Sequence, residues 1–408
     1  MRNLESPVRD DFPILQPSCG ENPLVYLDSA ATTQKPEVVI GRIADYYRGE
    51  NANIHRGSYP LSIQADKSCE AARKTVQGWL GAALSREILF TKGSTESLNL
   101  LAHTALAAWA EPGDNVVVTE LEHSSNFYPF QAQCRLRRVE FRVAPANRDG
   151  TLDPKAVERL IDSRTKLLSI TAMSNVTGFR PDLIPLIRYA HDKGARVAVD
   201  ASQEAAHHRI NVQELDCDFL CFSAHKLYGP MGCGVLYGKA GALAELPPFL
   251  YGGDMLERAG DGSVEYKEAP GRFEAGTPNL EAVLGLEAAI RYLEEKDFDA
   301  LTAYEEDLSR ELRVRLSAVP GLRLHGPGDP SPILTFTMEG WGAYDIGTLL
   351  GNSGIAVRCG AHCAYPLMGR MGQENSCRVS LGFYNNAADL DALANRLENI
   401  GRRGFVHR

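Results

Sequence analysis

The chain of 408 residues contains no apolar run approaching the roughly 18 residues that span a bilayer. Its opening residues, Met1-Arg2-Asn3-Leu4-Glu5-Ser6, lack the apolar stretch of a secretory signal. Together these absences predict a cytoplasmic protein with no membrane partner. Cysteine is scarce, nine residues at irregular spacing, too few for a disulfide framework. Cys69, Cys134, Cys217, Cys221 and Cys233 therefore read as small core residues kept reduced. No basic tract or arginine-rich stripe occurs and the net charge is −9, which excludes nucleic acid as the main partner, because neutralising a phosphate backbone needs clustered lysine and arginine. Internal repeats and low-complexity segments are also missing.

What is present has an ordinary globular composition, 44% hydrophobic and 23% charged. The length suggests two to three units of about 150 residues. Residues 1–35 carry prolines at 7, 13, 17 and 23 and end in a short strand that breaks into a polar loop, predicting an N-terminal arm packed with the smaller unit. Residues 36–80 have a helical pattern interrupted at 51–57. Short apolar runs, most of them rich in β-branched residues, then recur at 87–91, 115–119, 138–143, 166–171, 196–200, 219–223 and 234–237. Helix-period stretches such as 97–109, 154–161 and 183–192 separate most of them, which predicts a mostly parallel seven-stranded sheet covered on both faces. Gly229-Pro230-Met231-Gly232 is too short for a crossover and predicts an antiparallel last pair. Two helices, 279–296 and 298–316, lead into a smaller α+β unit with strands at 322–325, 333–338, 354–358 and 378–381 and helices at 343–351 and 387–400. The expected division is an arm at 1–35, a large domain at 36–295 and a small C-terminal domain at 296–408.

In an open α/β sheet ligands bind beyond the carboxyl ends of the strands, so the residues just after each run carry the most information. They are Gly93-Ser94-Thr95, His123, Asn175, Asp200 with Gln203, and Ser223-Ala224-His225-Lys226. The last group leaves a primary amine at a strand exit, the group that condenses with an aldehyde such as that of pyridoxal phosphate. Ser94 and Thr95 start a helix, where N–H groups and hydroxyls face an anion. Asp200, desolvated at a strand end, needs a cationic partner, which a protonated pyridine nitrogen supplies. It precedes Lys226 by one helix and one strand, which places the two on neighbouring strands. His123 is suited to lie flat on a planar ring, and Asn175 to donate to a phenolic oxygen. A second centre, Arg358-Cys359-Gly360-Ala361-His362-Cys363 with Cys377-Arg378, lacks the separated pairs of a zinc site and reads as a nucleophilic cysteine loop with no metal. Arg358, Arg378 or His362 are the groups able to activate its thiol, and an arginine there is able to hold a carboxylate.

Taken as a set, "SAHKLYGPMGCGVLYG", "VDASQ", "KGSTESLNL", "LEHSSNFYPFQ", "SNVTG", "RFEAGTPN", "NANIHRG" and "RCGAHCAYP" resemble the class V, fold-type I pyridoxal-phosphate enzymes, and within them the SufS-like group II cysteine desulfurases and selenocysteine lyases. The resemblance runs from about residue 26 to 400. It implies Lys226 as the Schiff-base lysine and proton carrier, Asp200 on the pyridine nitrogen, His123 stacked on the ring, and Gln203 and Asn175 around the ring oxygen. Ser94, Thr95, Ser223 and His225 hold the phosphate, with Thr277 completing that cup from the second subunit of a homodimer. Arg378 binds the substrate carboxylate with help from Asn175, Arg358 and His55 lie with the substrate, and Cys363 takes the sulfur as a persulfide. L-Cysteine or L-selenocysteine is the implied substrate, and a small sulfur-acceptor protein of the SufE or SufU kind the implied partner in iron–sulfur cluster or other sulfur synthesis. Ser124, Ala361 and Tyr365 depart from the family pattern. A different class V lyase or aminotransferase, and a sulfur carrier without turnover, remain the alternative readings.

Overall fold

An apolar strand buried on both sides must send alternate side chains to two different cores. Strand β7 (Phe219–Ser223) does so: Leu220 and Phe222 enter one cluster, Phe219 and Cys221 the other. The computed structural model describes residues 4–16, 24–55, 57–260 and 262–404. Of the expected arm, 1–3 and 17–23 lie outside the described residues, as do 405–408 of the small unit.

The chain opens with β1 (Val25–Tyr26), followed by helices Glu37–Asp45 and Pro60–Leu80. The main sheet is then laid down as β2 (Ile88–Thr91), β3 (Asn115–Thr119), β4 (Glu140–Ala144), β5 (Thr165–Thr171), β6 (Arg196–Asp200), β7 and β8 (Gly234–Gly238). Their spatial order is β2-β8-β7-β6-β5-β3-β4, with β4, β3, β5, β6 and β7 parallel neighbours and β8 antiparallel to both β7 and β2. The carboxyl ends of β2, β3, β5, β6 and β7 therefore share one edge. Amphipathic helices cover the faces; Leu183–Asp192, for example, buries Leu183, Leu186, Ile187 and Ala190, an i, i+3, i+4, i+7 stripe.

An exposed hairpin, β9 (Leu256–Gly260) with β10 (Ser263–Tyr266), precedes helices Leu280–Glu295 and Phe298–Ser317. A four-stranded antiparallel sheet follows, in the order β11 (Leu322–His325), β12 (Ile333–Met338), β15 (Ser376–Ser380), β14 (Arg358–Gly360), with its own core against Phe298–Ser317, Ala343–Gly351 and Ala387–Gly404. The strand expected at 354–358 is two: β13 (Ile355–Ala356) pairs in parallel with β1, and the chain then changes partner to join β15 as β14. β4 starts two residues later than expected, because Arg138 is left-handed (φ 59) and closes helix Ser124–Arg137. No helix among the described residues is long and apolar enough to cross a membrane.

Candidate active site

The shared carboxyl edge of the sheet and the β14–β15 end of the smaller sheet enclose a cavity of about 180 Å3. Its wall carries Ser94, Thr95, His123, Asn175, Asp200, Gln203, Ser223, His225, Lys226, Arg358, His362, Cys363 and Arg378, each singled out in the sequence, and also Ala30, Ser125 and Ser202. The two centres, far apart in sequence, are one site.

Local geometry explains the placement. Gly234 lies between Thr91 and Ser223 in register, and a Cβ there would sit 2.4 Å from the Gly93 Cα. Only glycine lets the β2 exit approach β7 this closely. As a result the Ser94 amide donates to Ser223 Oγ at 2.8 Å and the two hydroxyls are also 2.8 Å apart, at the start of helix Ser94–Trp109. Next door, Ser202 holds Asp200 Oδ1 through its amide (3.0 Å) and its hydroxyl. Lys226 follows β7 on a short turn whose His225 carbonyl accepts from the Thr33 amide (3.0 Å), Thr33 Oγ1 (3.0 Å), Thr32 Oγ1 (3.1 Å) and Lys35 Nζ (2.8 Å). Burial brings the Lys226 amine down to about 8, with the Arg378 and Arg358 charges acting the same way and Asp200 opposing them.

His123 caps helix Ser124–Arg137, its Nδ1 accepting from the Ser125 amide at 3.1 Å. Burial first, then the Lys226, Arg358 and Arg378 charges, hold its pKa near 3. The ring is therefore neutral at working pH with its proton on Nε2. Beneath it Glu122 is fully buried, accepting from Thr119 Oγ1 and Asn126 Nδ2, both at 2.6 Å, and burial raises its pKa to about 8.

On the cysteine side, Arg358 Nη2 lies 3.4 Å from Cys363 Sγ. His362, also a candidate activator, is held near pKa 3 by burial and by Arg378 and Arg358, and its Nε2 meets Ser376 Oγ at 2.9 Å. Arg378 donates to Asn175 O (3.0 Å) and Asp28 (3.1 Å). Arg358 is thus the cation at the thiol. His362 and Cys363 are both left-handed (φ 53 and 56), a conformation that costs a non-glycine residue about 1 kcal/mol or more. Bonds from the main sheet's side offset that strain: Asn175 Nδ2 donates to His362 O at 2.7 Å, and Ser124 donates to Cys363 O through its amide (2.7 Å) and Oγ (2.8 Å). Asn175 thereby uses one of its two amide N–H groups within the protein, and Gln203 likewise gives one to Ala30 O at 2.9 Å. Cys359 and Cys377 point the other way, their sulfurs 3.6 Å apart and Cys377 Sγ against Ala343 O. The described residues contain no group of three or more His, Cys, Asp and Glu side chains able to hold a metal ion.

The same chain does not bring His55 or Thr277 to this cavity. His55 faces Asp66 (3.4 Å) and Asp254 (3.9 Å), and the exposed Thr277 lines a separate cavity of about 340 Å3. Ser202, Lys35 and the Ser124 contact are the residues that the sequence reading left unassigned. The position of Ser202 two residues after a strand-end aspartate was the available signal for it.

The walls fit pyridoxal phosphate. Four of their buried polar atoms have no partner among the described residues, namely Asn175 Oδ1, His225 Nδ1, His362 Nδ1 and Arg378 Nε. Lys226, Arg358 and Arg378 against Asp200 give the cavity the positive balance that an anionic cofactor and a carboxylate substrate need.

The aminotransferase class-V family model matches residues 25–393. The cysteine desulfurase of Klebsiella pneumoniae is 44% identical over 395 residues, covering 96% of this chain and 97% of the relative, and that of Dickeya dadantii is 43% identical over 396 residues, covering 97% and 96%. Among solved structures, the cysteine desulfurase CsdA of Escherichia coli superposes with a TM-score of 0.89 at 36% identity, 97% of each chain being covered. The apo cysteine desulfurase of Thermococcus onnurineus gives 0.92 at 32%, covering 99% of this chain and 100% of that one. The chain belongs to the aminotransferase class-V family and is a pyridoxal-phosphate enzyme.

Proposed function

We propose that the protein is a cysteine desulfurase that moves the sulfur of L-cysteine onto Cys363 and releases L-alanine. The observation that carries this reading is the Cys363 thiol, 3.4 Å from Arg358, in one cavity with Lys226 and with Arg378, whose buried Nε has no partner among the described residues. Relatives named cysteine desulfurase at 42–44% identity over nearly the full chain support it.

When bound, pyridoxal phosphate supplies the electron sink that loosens the bonds around the substrate's Cα. Lys226 holds its aldehyde and moves the proton at Cα, its lowered pKa leaving a share of neutral amine at working pH. Asp200, with Ser202 fixing one of its oxygens, would hold the pyridine nitrogen, and His123 would bind against the ring. Ser94, Thr95, Ser223 and His225 form the phosphate cup, which Thr277 of a second subunit completes in a homodimer. Arg378 takes the substrate carboxylate with Asn175 beside it and Arg358 completes the set on this chain, whereas His55, which the same chain does not bring to this cavity, would join it only from the second subunit. The Cys363 thiolate then attacks the substrate sulfur. An S–S bond forms, the Cβ–S bond breaks, and the electron pair stays with carbon and is protonated to give alanine. Loop 360–364 is short and held at both ends, so the persulfide stays at the cavity, and a small acceptor protein of the SufE or SufU kind collects the sulfur for iron–sulfur cluster or other synthesis. The separate core of the four-stranded sheet supports a division into an arm at 1–35, a large domain at 36–295 and a small domain at 296–408. The setting is the cytoplasm, where thiols stay reduced.

Adding L-cysteine to the purified protein should change its visible spectrum and yield alanine in step with a persulfide that maps to Cys363 on alkylation. Alanine without that persulfide sinks the reading, and turnover confined to L-selenocysteine replaces it with selenocysteine lyase.

A further inference from the structure

The carbonyl of Cys363 is held from an element far away in sequence. Ser124, the first residue of helix Ser124–Arg137, gives it two hydrogen bonds, 2.7 Å from the amide and 2.8 Å from the hydroxyl. The residue before Ser124 is His123, which caps the same helix and faces the cavity. One helix end therefore sets both the ring-facing histidine and the backbone of the sulfur-accepting cysteine. The cysteine needs such a hold, because it and His362 are consecutive left-handed residues that would relax if released. The neighbouring carbonyl, that of His362, is tied by Asn175 Nδ2 at 2.7 Å, so each of the two strained residues is held from another part of the chain. Asn175 also lines the cavity and touches Arg378, whereas the Ser124 hydroxyl bonds only to the Cys363 carbonyl among its described contacts.

We propose that Ser124 is a positioning residue for sulfur transfer: its hydroxyl locks the strained Cys363 backbone and so aims the thiol at the substrate sulfur. The proposal rests on Cys363 being the sulfur acceptor. Near-attack geometry is steep in distance, and a shift of about 1 Å can cost on the order of a hundredfold in rate. The amide bond from Ser124 survives any side-chain change, so losing the hydroxyl should remove part of the restraint.

The test compares the holoenzyme with Ser124→Ala and Ser124→Thr. Ser124→Ala should keep the cofactor band, the spectral response to L-cysteine and the KM, while single-turnover persulfide formation at Cys363 slows by about tenfold. Ser124→Thr, which restores a hydroxyl, should recover most of that rate. A second measurement needs no turnover: iodoacetamide labelling of substrate-free protein, mapped by mass, should be faster at Cys363 in Ser124→Ala and unchanged at Cys359. Parent-like persulfide formation and labelling in Ser124→Ala overturn the proposal, as does equal impairment of the alanine and threonine variants. If the parent forms no persulfide from L-cysteine, the proposed activity falls, and the labelling rates still decide whether Ser124 restrains Cys363.

Discussion

The strand-end cup and the cysteine loop meet in one cavity but are built in opposite ways. Ser94, Asp200, Ser223 and Lys226 sit where fully or largely buried strands stop, so sheet register alone brings them together. Loop 360–364 has no such frame. Its two left-handed residues are held by Asn175 and Ser124, which come from other parts of the chain. In the proposed reaction the cup keeps a bound group still, whereas the loop presents a sulfur that arrives, stays and leaves. Rigid scaffolding suits the first task, and a strained loop with a few removable bonds suits the second.

Four changes break or sharpen that comparison. Lys226→Ala strikes the cup alone: the visible cofactor band should vanish and L-cysteine turnover fall at least about a thousandfold, lost proton transfer alone being worth roughly 10²–10⁴, while iodoacetamide labelling of Cys363 continues. Cys363→Ala strikes the loop alone: the band and its response to L-cysteine should remain, and alanine formation coupled to persulfide should stop. Loss of the band in that variant would mean the two regions are not separable. Gly234→Ala tests the register itself, since the new Cβ meets the Gly93 backbone at 2.4 Å. Chemical denaturation should show a loss of about 1–3 kcal/mol, and phosphate-containing cofactor should bind more weakly while free pyridoxal is less affected.

The smallest effect concerns Glu122, buried beneath His123 with its pKa raised to about 8. In the native state this carboxyl keeps a proton that the unfolded chain has already released, so its contribution to stability is lost as pH rises from the usual carboxylate range through 8. Thermal melts of the parent should therefore fall in Tm between pH 5 and 8. Glu122→Gln should flatten that slope. An identical slope in both proteins would show that Glu122 is charged in the fold.

The cup was legible in the sequence because its residues end or follow short apolar runs, most of them rich in β-branched residues, and burial leaves such runs little choice but a sheet. The spacing of Asp200 and Lys226 placed them on adjacent strands, and β6 and β7 pair directly. The loop was legible as chemistry but not as geometry. Nothing in Gly360-Ala361-His362-Cys363 announces two left-handed residues, and a serine after His123 looks like a helix start rather than a hold on residue 363. Three cysteines and a histidine close in sequence also hid an orientation: β14 alternates, so Arg358 faces the cavity while Cys359 turns to Cys377 behind it. Hairpin β9–β10 escaped prediction because it is exposed almost throughout and so has no apolar alternation.

The bonds on the His225 carbonyl have a mechanical side. Residues 25–35 leave the short β1–β13 pair, touch β15 through the Asp28–Ser380 bridge, border the cavity at Ala30, and end with Thr32, Thr33 and Lys35 on the peptide next to Lys226. An extended chain reaches at most about 3.3–3.6 Å per residue, so this span works as a strut of fixed maximum length. Any hinge motion that drew the two sheets apart would load that strut, and the load would fall on the peptide carrying the reactive amine. Opening the cavity and pulling on the Lys226 turn would then be a single movement, and shortening residues 28–32 by even one position would load the same carbonyl.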